Sequence, residues 1–205
     1  MRKTKVRMLT SKEISDGERH LRRVDAAMDA LIVKHGPCSL SERKESAFRA
    51  LAWSIIGQQL SAKAAATITS RVEKIVSSPF IPQNVMRVSS DQLRQAGMSA
   101  RKASSLIALA ELSASGRLSF DALHEMDDED VIAVLTQVSG IGRWTAEMFL
   151  IFGLGRPNVQ SLGDAGLRRA ARLIYGEGMP IESLWDRWSP WCSVASWYLW
   201  RHLDS

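Results

Sequence analysis

Residues 136–149 read TQVSGIGRWTAEMF. Two glycines, Gly140 and Gly142, bracket Ile141 between stretches of helical periodicity, and Trp144 stands where the second helix begins. Glycine tolerates positive φ and, lacking a Cβ, lets another part of the chain approach closely. The stretch therefore reads as a tight hairpin between helices. Because the second helix opens at the glycines, its first N–H groups point outward without intrahelical partners. Together with the helix dipole they favour an anion such as a phosphate. A plain helix–helix turn accounts for Gly-x-Gly equally well, so the surrounding sequence has to decide.

Apolar residues recur at spacings of three and four on both sides of the hairpin, and no alternating strand pattern stands out. Residues 18–34 carry Leu21, Val24, Met28, Leu31 and Ile32 on one face, and 46–57 carry Phe48, Leu51, Ala52, Ile55 and Ile56. Ser61 and Ser99 stand as N-caps for helices reaching about residues 75 and 114. Further helices are predicted over 127–135, 142–152, 164–175 and 191–202, the last opened by Ser189-Pro190. Residues 79–82 and 176–180 read as loops, and the first dozen residues as a mobile basic arm. The expectation is an all-α fold of about eight to ten helices.

The chain has 205 residues, enough for one domain or two closely packed subdomains, with 45% hydrophobic and 24% charged residues. No apolar run approaches the ~20 residues of a membrane span. The basic start, MRKTKVR, lacks the apolar core of a secretory signal, so a cytoplasmic location is expected. Cys38 and Cys192 are far apart and the four histidines are scattered, which matches no metal-ligand spacing. A net charge of +5 permits a polyanionic partner without demanding one.

The string Leu135-x-x-Val138-x-Gly140-Ile141-Gly142-x-x-Thr145-Ala146 resembles the helix-hairpin-helix motif of base-excision DNA glycosylases. Phe48-Arg-Ala-Leu-Ala-Trp-Ser-Ile-Ile-Gly57-Gln58-Gln59-Leu60-Ser61-Ala-Lys63-Ala-Ala is similar to a helix of the 3-methyladenine glycosylase II branch. So are Leu93-x-x-Ala96-Gly97-Met98-Ser99-x-x-Lys102 and Trp188-Ser-Pro-Trp191. These matches keep their order from Phe48 to Trp200, about three-quarters of the chain. Two departures stand out. Gln160-Ser161 replaces a usual Phe-Pro in the loop before Asp164, and Cys192 stands where arginine is common. The chain resembles the compact form of the branch, without its N-terminal β-domain, and lacks the four-cysteine tail that holds an iron–sulfur cluster in other branches.

The resemblance implies a two-lobed helix-hairpin-helix fold, with lobes at about 36–135 and at 1–35 plus 136–205, and a DNA cleft between them. Asp164, 20 residues after Trp144, occupies the place of the catalytic carboxylate; it equally reads as the N-cap of the helix that follows, and the two roles are compatible. Trp144 fills the slot where lyase-capable relatives carry a Schiff-base lysine, so base removal without strand cleavage is expected. Lys63 and Lys102 read as surface or phosphate-facing. Trp144, Trp200, Gln58, Gln59 and Met148 are the implied base-binding residues, although tryptophans also serve as core filling. Trp185, Trp188, Trp191 and Trp197 are expected to pack. Gln58 and Gln59 either line the base site or satisfy neighbouring backbone groups. Leu60 stands where relatives push a wedge into the duplex, or is a core leucine. Leu60, Ser61, Gly140, Ile141, Gly142, Arg143 and Thr145 are the implied DNA contacts. Arg168, Arg169 and Arg172 either add phosphate contacts or form a solvated face. Carbonyls of Thr136, Val138 and Ile141 are implied to hold a structural Na+ or K+, and no other cofactor is required.

The expected activity is hydrolytic excision of alkylated bases, of the 3-methyladenine and 7-methylguanine type, from damaged double-stranded DNA by a monomeric enzyme. Two alternatives stay open: a glycosylase for deaminated or oxidised bases, and a non-catalytic DNA-binding module.

Overall fold

The computed structural model describes residues 9–42 and 45–204, and among them every regular element is helical. They gather into two compact units. The first spans Glu45–Phe149; the second joins residues 9–42 to 150–204.

The first unit holds α3 (Ala47–Gly57), α4 (Ala62–Val76), α5 (Pro82–Val85), α6 (Ser90–Gln95), α7 (Ala100–Ala114), α8 (Phe120–Glu125), α9 (Asp128–Leu135) and α10 (Arg143–Met148). Ser46, Ser61 and Ser99 each accept a hydrogen bond from the backbone N–H three residues on, which fixes the starts of α3, α4 and α7. Helix α7 is the hub, packing against α3, α5 and α6. Leu51, Ile55 and Ile56 of α3 and Leu106 and Leu109 of α7 are fully buried in its core. The hairpin lies in this unit because α10 packs on α3 and α9, burying Thr145, Ala146 and Met148. The division expected at about 36 and 136 therefore falls at 45 and 150.

The chain passes into the second unit along a π-helical segment, Phe149–Leu154. The second unit comprises α1 (Ser11–Val24), α2 (Ala26–His35), α11 (Ala165–Tyr175), α12 (Ile181–Trp188) and α13 (Cys192–Leu203). Packing of α13 on α2 and α11 forms its centre, around the buried Trp185, Trp188, Trp191, Tyr198 and Leu199. Those three tryptophans pack as expected, and Trp197 is half-buried.

Three expectations need correction. The single helix over 18–34 is two helices broken at Asp25, whose side chain caps α2 by accepting from Ala27 and Met28 N–H. The same buried carboxylate accepts from Tyr175 Oη at 3.0 Å and Trp188 Nε1 at 2.9 Å, partners invisible to local pattern. Of the dozen residues expected as an N-terminal arm, the first eight lie outside the described residues and the rest do not form one. From Leu9 the chain is ordered by burial of that leucine, by its N–H on Gly155 O, and by a Thr10–Glu13 capping box. Lastly, α13 begins with Trp191 at its N-cap rather than Ser189, which terminates α12.

Candidate active site

Of the two hairpin glycines, Gly140 has a reason inside the protein. Its φ is +86°, in the left-handed region that disfavours residues with a Cβ. A Cβ there would lie 1.9 Å from Ser105 Oγ and 2.9 Å from Ser105 Cβ on α7. Gly142, the N-cap of α10, has neither constraint: its φ is −94°, and a Cβ would meet none of the described residues within 4 Å. Ile141 is buried and its N–H donates to Val138 O, closing the turn.

Gln58 settles one open alternative. Its Nε2 donates to Gly140 O and to Thr145 Oγ1, each at 2.9 Å, so the amide braces the hairpin. Thr145, buried on α10, is thus a support of the hairpin. Gln59 is exposed and left-handed, with φ +57°. Leu60 follows it 37% exposed, and Ser61 caps α4; Leu60 is therefore not a core leucine. Lys102 is neither a surface lysine nor phosphate-facing: its half-buried Nζ donates to Ile56 O at 2.9 Å and Gln58 O at 2.5 Å. Burial lowers its pKa from the usual lysine range. Lys63 is exposed as expected.

Arg143, expected to contact DNA, is committed to two carboxylates of its own chain. Its Nη1 and Nη2 grip Glu129 of α9 as a fork, at 3.0 and 2.5 Å, while Nε donates to the buried Glu147 at 3.0 Å. The fork holds Glu129 below the usual carboxylate range and raises the arginine. Trp144 is half-buried on the first turn of α10, and Met148 is buried at its end.

The second unit brings Asp164 and Trp200 together. Asp164 is buried and caps α11, its Oδ1 accepting from Leu167 N–H at 2.7 Å. The same oxygen accepts from Trp200 Nε1 at 3.3 Å, because α11 and α13 pack together. The capping role expected of Asp164 is thus observed. Ser161, one of the departures from the family pattern, is fully buried, and its carbonyl accepts the Asp164 N–H. Arg168 fastens the same loop by donating to Leu162 O at 2.8 Å, while Arg169 and Arg172 are exposed.

Two participants escaped the sequence reading. Phe152, 41% exposed, lies with its ring centroid 5.6 Å from that of the half-exposed Trp200. It is carried on the π-helical segment, and no side-chain pattern marks where a helix widens. Gly166 sits beside Asp164 and Trp200: a Cβ there would lie 3.0 Å from Asp164 Oδ1 and 3.5 Å from Trp200 Cδ1. The spacing of Gly166 to Asp164, two residues within one helical turn, was the available signal.

Both thiols are buried and pushed up to about 12, chiefly by desolvation, so neither offers a thiolate nucleophile near neutral pH. Among the described residues no group of three or more His, Cys, Asp or Glu can hold a metal. The carbonyls of Thr136, Val138 and Ile141 are all-oxygen donors of a kind suited to a hard cation. Val138 O accepts one N–H and keeps a second lone pair for a ligand.

Comparison with known proteins places the chain. The family described as HhH-GPD superfamily base excision DNA repair protein matches residues 52–182. DNA-3-methyladenine glycosylase 1 of Schizosaccharomyces pombe is 32% identical over 83% of this chain and 78% of its own length. The structure of the S. pombe 3-methyladenine DNA glycosylase Mag1 in complex with abasic DNA superposes with a TM-score of 0.83 at 30% identity. That match covers 93% of this chain and 97% of that one. A DNA-3-methyladenine glycosidase from Bacillus halodurans gives 0.74 at 38% identity, covering 95% and 91%. The chain belongs to the HhH-GPD superfamily of base excision DNA repair proteins.

Proposed function

We propose that this HhH-GPD protein is a monofunctional DNA glycosylase that excises alkylated purines from duplex DNA by hydrolysing the N-glycosidic bond. The single observation that carries the chemistry is the buried Asp164 carboxylate, fixed by Leu167 N–H and Trp200 Nε1. Breaking an N-glycosidic bond builds positive charge on the sugar, and an anion already in position stabilises it without reorganising. The same carboxylate orients the attacking water or takes its proton.

Trp200 and Phe152 supply the substrate preference. Purines methylated at N3 or N7 carry positive charge in the ring, and an indole face attracts such a cation by about 0.5–2 kcal/mol. Such a base is also a good leaving group, so one carboxylate suffices without a dedicated acid. Trp144 stands at the slot of the Schiff-base lysine of lyase-capable relatives. Tryptophan at this position cannot form a Schiff base, so the product is an intact strand bearing an abasic site. DNA is the partner, as in the Mag1 complex, and the protein acts on it as a monomer.

At the hairpin, the open space before Gly142 admits a phosphate close to the backbone. Na+ or K+ on the carbonyls of Thr136, Val138 and Ile141 would supply positive charge for that phosphate. Arg143, held by Glu129 and Glu147, fixes the first turn of α10 instead of reaching for DNA.

The test is Asp164→Asn assayed on duplexes carrying 3-methyladenine or 7-methylguanine. Base release should fall at least about a hundredfold while duplex binding persists; unchanged turnover would defeat the mechanism. Release of uracil or 8-oxoguanine without alkylated bases would redirect the substrate class. Strand nicking by the pure protein without alkali would refute the monofunctional assignment.

A further inference from the structure

Helix α7 supports two surface features at once. Ser105 lies against Gly140 of the hairpin, and Lys102, three residues earlier on the same face, reaches the turn between α3 and α4. That turn is demanding. Gln58 leaves the helix with ψ 128°, Gln59 adopts a left-handed φ of +57° without being glycine, and Leu60 N–H returns to Gly57 O at 3.2 Å. Left-handed backbone in a glutamine persists only where neighbouring groups over-determine it. Lys102 is the group that does so: one ammonium joins Ile56 O and Gln58 O, the carbonyls on either side of Gly57. A cation also suits these positions because they lie at the negative end of α3. A lysine, with three donors and no acceptor, can serve two carbonyls at once. Gln58 then extends the brace, since its side-chain amide grips Gly140 O and Thr145 Oγ1. The result of this bracing is an apolar side chain, Leu60, held out toward solvent.

On the glycosylase function proposed above, we infer that Lys102 is a positioning residue for nucleotide extrusion, holding the 57–60 turn so that Leu60 projects into the duplex as the damaged nucleotide leaves. Through Gln58 the same ammonium keeps that turn in register with the hairpin. Lys102 touches neither base nor sugar; it acts through Leu60. Its depressed pKa accords with an ammonium withdrawn from solvent to make these bonds.

The experiment compares single-turnover release of 7-methylguanine from two duplexes, one with the lesion opposite cytosine and one with it opposite an abasic-site analogue. In the second the pair is already broken, so extrusion needs less help. Unstacking and unpairing a base opposes flipping by a few kcal/mol, so K102M and L60A should each slow release from the paired duplex about tenfold and from the unpaired duplex less than threefold. Because both act on one step, the double variant K102M/L60A should be no slower than L60A alone. K102R, which keeps the charge and the donors, should stay within about threefold of wild type on both duplexes. Should K102M not fold, Lys102→Gln, with one donor group on a shorter arm, takes its place with the same expected pattern. Equal losses on the two duplexes, or additive losses in the double variant, would overturn the inference, as would wild-type rates on both duplexes in K102M. Wild-type protein that releases base from neither duplex would instead defeat the proposed function itself.

Discussion

Gly140→Ala isolates the internal reason for the hairpin sequence. Two penalties add at this position. A non-glycine residue in the left-handed region costs roughly 1–2 kcal/mol, and the observed φ is +86°. The new methyl would also lie 1.9 Å from Ser105 Oγ and 2.9 Å from Ser105 Cβ. The hydroxyl can swing away, at the expense of its bond to Arg101 O. The Cβ is part of the α7 framework and cannot, so helix or hairpin must shift, which typically costs about 1–3 kcal/mol. Together these predict a loss of about 2–5 kcal/mol, or a melting midpoint lower by roughly 4–20 °C for a chain of this size. Gly142→Ala is the internal control. Its φ is already negative and its surroundings are open, so only the small difference between glycine and alanine at an N-cap remains. Differential scanning calorimetry of both variants, with Gly140→Ala repeated in a Ser105→Gly background, separates the two penalties. The smaller side chain should recover the steric share and leave the backbone share. A Gly140→Ala protein melting within about 1 °C of wild type would refute this account, as would complete recovery in the double variant.

Asp25→Ala removes the buried acceptor shared by Tyr175, Trp188 and the α2 N-terminus. Leaving those donors unpaired should lower unfolding stability by about 3–5 kcal/mol in urea titrations, with no change in m-value. Arg143→Met should destabilise in a pH-dependent way. The arginine lowers the Glu129 pKa, so its stabilisation is present above the unfolded carboxylate pKa of about 4.3 and is lost as pH falls through the lower folded value. The gap in melting temperature between wild type and variant should therefore be largest near neutrality and close toward about pH 3; a constant gap contradicts the assignment. Trp200→Phe keeps a ring over the site but deletes the N–H on Asp164 Oδ1. It should slow single-turnover base release roughly ten- to a hundredfold with duplex affinity retained, since a hydrogen bond to a charged acceptor is worth about 1.5–3 kcal/mol.

What the sequence disclosed depended on how far apart the interacting residues lie. Serine caps act over three residues, so Ser61 and Ser99 marked the starts of α4 and α7 directly. Asp164 lay within reach of the same logic, as an acidic residue opening a helix. Asp25 did not, because its decisive partners are 150 and 163 residues away and only the fold brings them to it. Local periodicity accordingly ran one helix straight through it. Gln58 illustrates the same limit: both its alternatives were visible, and only the hairpin carbonyl 82 residues on could choose between them. Lys102 and Arg143 misled for a related reason. A basic residue in a cationic, DNA-directed chain invites a phosphate, whereas these two answer to backbone carbonyls and carboxylates of the chain itself.

The two glycines of TQVSGIGRWTAEMF, alike in sequence, are therefore unlike in cause. Gly140 is required by left-handed backbone and by Ser105 pressed against it; any well-packed helical hairpin of this geometry would need a glycine there, whatever it binds. Among the described residues nothing requires Gly142, for its backbone is ordinary and a Cβ would meet none of them within 4 Å. The space this glycine leaves free is at the N-terminus of α10, the end of a helix that favours an anion. Gly140 therefore reports the fold, whereas Gly142 is the position at which the proposed phosphate contact is tested. The same separation applies across the units. In the proposed mechanism the Lys102–Gln58–hairpin brace of the first unit serves duplex engagement, and the Asp164–Trp200 pair of the second serves bond cleavage. Asp164→Asn should therefore abolish base release and spare binding, whereas Gly142→Ala should weaken binding and spare the rate of the bound complex. Equal defects in both measurements for both variants would show that the two roles are not separable in this protein.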